Sequence, residues 1–220
     1  MTTIETTQLT KVIKGYTVLD NINLVVDQPL IYGFVGRNGA GKTMLFRSIS
    51  GLISPTSGSV KINGKQLGKE LTFPESIGLT IENVGLWSEF SGFHNLKMLA
   101  KIKKKISDDQ IKKTIQRVGL DPADKRPVRK YSQGMKQRIV LAQALMEQPE
   151  LLILDEPTNA LDENGVKLIR SIIMEEKYRG ATILLSSHSK EDIEILCDVI
   201  YHMDAGKITD MTVRNEDGAG

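Results

Sequence analysis

Cysteine occurs once in these 220 residues, at position 197, so no disulfide can close within the chain. A reducing compartment, the cytoplasm, is the natural setting for such a sequence, and Met1–Thr10 carries no signal peptide. Long apolar runs are missing too. A membrane-spanning helix needs roughly 18–20 apolar residues, whereas Leu151–Leu154 and Ile183–Leu185 are only long enough for buried strands. Net charge is +2, which creates no strong field for nucleic acid, and nucleic acid is not expected as a partner. No linker, low-complexity tract or tandem repeat divides the chain. With 40% apolar and 25% charged residues, it has the material for one sizeable α/β core.

Strands are expected at Ile4–Leu9 and Val18–Val26, both rich in Val, Ile, Leu and Thr. Gly58–Lys65 alternates and contains Asn63-Gly64, a hairpin turn signal, so a small antiparallel sheet is expected near the N-terminus. Leu30–Val35 is an apolar strand leading into a glycine-rich loop and a helix over Lys42–Ser50. Helical spacing then recurs in Phe93/Leu96/Ala100, Ile111/Ile115/Val118, Met135/Ile139/Ala142/Met146 and Val166/Ile169/Ile173. Between these helices, Leu151–Leu154 and Ala181–Ser186 read as parallel strands buried on both faces. The expected architecture is a mixed parallel α/β sheet with an N-terminal antiparallel β subdomain and a helical insert at about 83–130. Cys197 closes the apolar helical stretch Ile193–Cys197 and reads as an inert buried thiol, and Asp210–Gly220 is expected to fray.

The glycine-rich loop is Gly36-Arg37-Asn38-Gly39-Ala40-Gly41-Lys42-Thr43, which fits Gly, four residues, Gly-Lys, then Ser or Thr, between a strand and a helix. Its glycines let successive N–H groups face an anion, and the helix start adds the positive end of its dipole. Lys42 supplies a charge to the β- and γ-phosphates, and Thr43 a hydroxyl to Mg²⁺. This pattern indicates a nucleoside triphosphate and no more. Leu151–Leu154 ends in Asp155 and Glu156, at the strand end where ligands of α/β sheets bind. Asp155 can hold Mg²⁺ through water, and Glu156 can take a proton from an attacking water.

Further segments resemble the ATP-binding subunits of ABC transporters, over nearly the whole chain. Tyr131-Ser132-Gln133-Gly134-Met135 looks like that family's signature motif, Asn159-Ala160-Leu161-Asp162 like its D-loop, and Ser186-Ser187-His188 like its switch histidine. The resemblance implies a P-loop NTPase fold, hydrolysis of ATP with Mg²⁺, and catalytic roles for Glu156, His188 and Lys42. It also implies a head-to-tail dimer in which Ser132, Gln133, Gly134 and Asp162 of one subunit complete the nucleotide site of the other. A separate transmembrane permease would be the further partner, with the chain peripheral on the inner face of the cell membrane. Ser132 ahead of its helix is independently an anion site or, taken alone, an ordinary helix cap.

Four departures from the family's commonest pattern stand out. Glu82 falls where a metal-sensing glutamine is usual, so the metal ligands expected are Thr43, Asp155 and Glu82. Gln133 and Met135 replace a glycine and a glutamine. These two features resemble the bacitracin-resistance and lantibiotic-immunity (ABC-2 type) exporters, which implies export of a peptide or drug-like cargo. Met44 stands where a hydroxyl residue is common and costs one contact to the α-phosphate. The usual adenine-stacking aromatic is replaced by Ile13, and either Tyr16 nearby is a substitute platform or Ile13 is a core residue and Tyr16 a plain surface tyrosine. Trp87, Phe90 and Phe93 are either core or a groove for a permease helix, and Lys101, Lys103, Lys104 and Lys105 read as a solvated face. A soluble ABC-type regulator or nucleic-acid-associated ATPase is the alternative, but the second cassette or long coiled coil usual in such proteins is missing.

Overall fold

A computed structural model describes residues 2–81 and 85–214. Two long strands, β1 (Ile4–Ile13) and β2 (Tyr16–Val26), open the chain as an antiparallel hairpin. β3 (Ile31–Val35) runs into the glycine-rich loop and α1 (Lys42–Ile49), and β4 (Ser57–Ile62) and β5 (Lys65–Gln66) complete a four-stranded sheet ordered β2-β1-β4-β5. The β4–β5 turn is the expected one: Asn63 and Gly64 both take positive φ, 50° and 77°, as a twist-matched two-residue hairpin requires. β1 and β2 extend to Ile13 and from Tyr16, beyond the expected ends. Register shifts near Thr6–Val12 bend β1 and break the alternation by which a strand is recognised.

The helical insert comprises α2 (Gly92–Lys103), α3 (Asp108–Arg117) and a single 3₁₀ turn at Val128–Lys130, leading into α4 (Gln133–Leu145). Ser91, Ser107 and Ser132 cap α2, α3 and α4, each hydroxyl accepting a first-turn amide. β6 (Ile77–Thr80), β7 (Leu151–Asp155), α5 (Glu163–Tyr178), β8 (Thr182–Ser186), α6 (Lys190–Leu196), β9 (Val199–Asp204) and β10 (Lys207–Val213) build the main sheet. Its order is β10-β9-β3-β8-β7-β6, parallel throughout except for β10 on the edge.

Alternation along the central strands divides the core. Leu152, Leu154, Ile183 and Leu185 pack with α2–α6, while Leu151, Ile153 and Leu184 pack with α1 and the antiparallel sheet. Both faces of β3, β7 and β8 are thereby dry, which explains their unbroken apolar character.

Two expectations need correction. The stretch Asp210–Val213, expected to fray, pairs with β9 from Val199 to His202, so the ordered chain runs further than its polar composition suggested. Cys197 lies just past α6 rather than within it, yet it is buried, and burial pushes its thiol up to about 12. A thiol that stays protonated and covered is a poor nucleophile.

Candidate functional site

The glycine-rich loop closes between β3 and α1. Gly41 takes φ 105° immediately before the helix, and a Cβ there would lie 2.9 Å from the Val18 carbonyl, so this position needs glycine on two counts. Arg37, Asn38 and Gly39 are exposed, Gly36 and Thr43 are half-buried, and Ala40 is buried. Lys42 is also buried, and its ammonium donates to the Gly36 and Arg37 carbonyls at 2.7 and 3.3 Å. A cation is thus held inside a ring of loop backbone, which suits a polyphosphate. Met44 is partly buried and packs against the core that includes α1 and the antiparallel sheet.

The end of β7 meets this loop. Thr43 Oγ1 donates to Asp155 Oδ2 at 2.7 Å, and the Ser186 hydroxyl donates to Asp155 Oδ1. Asp155 is buried, and a hydroxyl and a carboxylate oxygen in contact form a hard-oxygen donor set suited to Mg²⁺. Glu82 lies outside the described residues. Among those described, no cluster of three or more acidic, histidine or cysteine side chains forms an all-protein cage, so this donor set would leave room for phosphate and water oxygens.

Glu156 follows Asp155 with φ 50°, an uncommon conformation for a residue with a side chain. Its amide donates to the Ser186 carbonyl at 3.1 Å and stands 3.2 Å from Ser186 Oγ. The left-handed turn swings the carboxylate toward the end of β8, where it accepts the His188 amide at 3.1 Å, and His188 Nε2 stands 3.5 Å from Oε1. Burial raises the Glu156 carboxyl above the ordinary glutamate value, and Asp155 adds to the rise. The His188 amide bond and the charges of His188 and Lys42 oppose it. His188 is half-exposed and Glu156 mostly covered, so the pair opens to solvent on the histidine side.

Of the other expected residues, Ser132 and Asp162 bond within their own helix starts, while Gln133 borders the cluster. Ser132 accepts the Met135 amide at 3.2 Å, capping α4, and makes no hydrogen bond to the 36–43 loop among the described residues. Gln133 lines a cleft of about 900 Å³ that also reaches Asp155 and Glu156. A Cβ on Gly134 would lie 3.2 Å from the Ala160 carbonyl, so the signature helix packs against the loop after β7. Asp162 caps α5 through the Gly165 amide at 3.0 Å. Ile13 and Tyr16 face each other across the β1–β2 turn, both exposed, Tyr16 at 77%. Ile13 is therefore not a core residue, and Tyr16 has a free ring face.

Ser186 and Gln137 also serve this site, and neither belongs to a motif that gives it a role. Ser186 bonds Asp155, and Gln137 donates to the carbonyls of Glu156 and Pro157 at 3.1 and 3.3 Å, bracing the left-handed turn. Ser186 lies in the segment marked for its histidine, and Gln137 lies two residues beyond the signature, on the same helix. Proximity in sequence was the available signal for both.

Comparison with known proteins agrees with this geometry. The family model described as ABC transporter matches residues 19–159. An uncharacterized ABC transporter ATP-binding protein of Bacillus subtilis, YybJ, is 53% identical over 205 residues, covering 93% of this chain and 94% of its own length. The bacitracin transport ATP-binding protein BcrA of Enterococcus faecalis is 41% identical over 209 residues, 94% of this chain and 68% of that protein. The lantibiotic transport ATP-binding protein SrtF of Streptococcus pyogenes is 39% identical over 192 residues, 87% of this chain and 82% of that protein. A dimeric bacterial ABC transporter cassette shares the fold, with a TM-score of 0.87 at 20% identity over 96% of this chain and 99% of that one. The chain belongs to the ABC transporter family and is one of its ATP-binding ATPase cassettes.

Proposed function

We propose that two copies of this cassette, or this cassette and a homologous one, close head to tail over two ATP molecules and drive a separate membrane permease. The observation that carries this reading is the convergence of Lys42, Thr43, Asp155, Glu156 and His188 at one end of the parallel sheet. Loop amides and Lys42 grip the triphosphate, exchanging the lysine's carbonyl partners for phosphate oxygens. Mg²⁺, held by Thr43 and Asp155, would neutralise phosphate charge and orient the β- and γ-groups. Glu156 accepts the proton of a water whose oxygen bonds to the γ-phosphorus as the bridging P–O bond breaks and ADP departs. Burial raises its carboxyl above the ordinary glutamate value, which makes it the stronger proton acceptor. His188 orients Glu156 and, from the exposed side, offers its ring to the γ-phosphate.

Ser132 and Asp162 bond within their own helix starts and make no hydrogen bond to the 36–43 loop among the described residues, which supports the use of the Ser132–Gly134 segment and Asp162 by a partner's nucleotide across a two-fold axis. Tyr16 offers its exposed ring to the adenine in place of Ile13. No helix among the described residues is long and apolar enough to cross a membrane, so the cassette would work from the cytoplasmic surface against a permease. Trp87 and Phe90 are 46% and 45% exposed beside α2, whereas Phe93 packs on the core, so the first two supply an apolar face for a permease helix. Relatives named for bacitracin and lantibiotic transport favour export of a peptide-like cargo.

The test is Glu156→Gln, which keeps the shape and removes the base. Steady-state phosphate release should fall by about 10²–10⁴-fold while ATP affinity holds. Turnover at the normal rate would remove Glu156 from its role.

A further inference from the structure

Asp192, in the first turn of α6, has 1% of its surface exposed, and the hydrolytic scheme gives it no task. Its carboxylate is saturated. Oδ2 accepts the hydroxyls of Thr158 at 2.6 Å and Ser187 at 3.0 Å, and Oδ1 accepts Arg170 Nε at 2.7 Å with Nη2 at 2.5 Å. About four acceptor positions exist on a carboxylate, and all are taken. Arg170 also reaches Glu191, at 2.9 Å, and the Asp192 amide donates to Ser189 Oγ at 3.2 Å.

These donors come from different segments. Thr158 lies two residues after Glu156, Ser187 immediately before His188, and Arg170 on α5. The first two belong to the loops whose tips meet in the Glu156–His188 contact. One buried carboxylate ties those loops together from behind, while the His188 amide and the Glu156 carboxylate join them in front. An open pocket of about 530 Å³ is lined by Glu156, Thr158, His188 and Asp192 together with residues of α5, so both loops border solvent-accessible space. Burying an ionised group is costly unless each lone pair is met, and an apolar residue would fill the same place without that demand. The network therefore specifies geometry.

We propose that Asp192 is a positioning residue for hydrolysis: through Thr158 and Ser187 it holds the two loops in register so that Glu156 and His188 face one reacting centre. The proposal rests on the assignment of Glu156 and His188 as the hydrolytic pair. It concerns kcat rather than nucleotide binding, because neither Asp192 nor Thr158 makes a hydrogen bond to the 36–43 loop among the described residues.

The experiment uses the full chain with Asp192→Asn, the near-isosteric Thr158→Val, and Thr158→Ser as the conservative rescue. Without nucleotide, hydrogen exchange at the His188 amide should quicken by about 10-fold or more in Asp192→Asn and Thr158→Val, with β8 unchanged. In ATP hydrolysis both should lose about 10- to 100-fold in kcat with KM within about 2-fold, and Thr158→Ser should recover both readouts. Normal exchange at His188 in folded Thr158→Val overturns the proposal, even if Asp192→Asn fails to fold. So does a kcat loss that Thr158→Ser fails to relieve. Wild-type turnover by Glu156→Gln overturns the pair's assignment and the proposal with it. A dead Glu156→Gln beside normal His188 exchange in Thr158→Val overturns the proposal alone.

Discussion

Replacing Gly33 by alanine places one methyl group at a crowded point of β3, just ahead of the phosphate-binding loop. Gly33 sits in the middle of β3, between β8 and β9 and ahead of Gly36. A Cβ there would stand 2.5 Å from Cys197 Sγ, 3.1 Å from its Cβ and 3.4 Å from Ile193 Cδ1. Ordinary contacts are about 3.5–4.0 Å, so the sulfur must retreat by about 1 Å. Cys197 is buried, and its amide is held by the Ile193 carbonyl at 3.2 Å, so the end of α6 has to move with it. Overpacking of this kind costs about 1–3 kcal/mol, or about 2–10 °C of melting temperature for a chain of this size. Cys197→Ala removes the offending atom, so the double variant should recover much of the loss, with a coupling energy of about 1 kcal/mol or more. Urea denaturation of wild type, both single variants and the double variant measures this directly, with ATP affinity following the same order. Strictly additive penalties, or a Gly33→Ala protein as stable as wild type, would refute the packing account.

Burial of Glu156 makes a prediction about pH. A carboxyl raised in the folded state contributes stability in full below its unfolded value and loses it as pH rises through the folded value. Glu156→Gln should therefore gain stability relative to wild type as pH climbs from about 4 toward neutrality, and the acidic limb of wild-type kcat should lie above the ordinary glutamate range. A constant stability difference between these pH values would contradict burial as the cause. On the helical insert, Arg117 reaches from α3 to Glu176 at 2.5 Å and Glu175 at 2.7 Å on α5, and the Glu176 side chain is 2% exposed. Arg117→Met should cost about 1–3 kcal/mol, moderated because Arg179 still holds Glu176 at 2.6 Å. Lys167→Met, which breaks an exposed pair with Glu163, should cost under about 0.5 kcal/mol, and equal losses in the two variants would argue against the buried bridge.

Residues 36–43, Asp155 and Glu156 were legible because their chemistry depends on short spacings at the ends of apolar strands, which sequence order preserves, whereas His188 was marked only by its resemblance to the family's switch histidine. The central strands were legible for a related reason, since burial on both faces leaves uninterrupted apolar runs. What escaped is whatever depends on distant segments meeting. The β10 edge strand looked like a polar tail because its partner β9 sits on one side and solvent on the other. Ser186, Gln137 and Asp192 are unremarkable polar residues until the fold sets them against Asp155, the Glu156 turn and Thr158. Ile13 and Tyr16 share a hairpin end, a relation that emerges from register rather than from either residue.

The central claim is that each nucleotide site is built by two chains. It is tested most directly by mixing Lys42→Ala, which spoils only the phosphate loop, with Ser132→Arg, which spoils only the signature helix start. Each variant alone should hydrolyse little ATP. In a mixed head-to-tail dimer both defects fall on one site and leave the other intact, so mixing should restore activity, up to about a quarter of wild type if pairing is random. A mixture no more active than its separate components, or Ser132→Arg fully active by itself, would contradict the shared site.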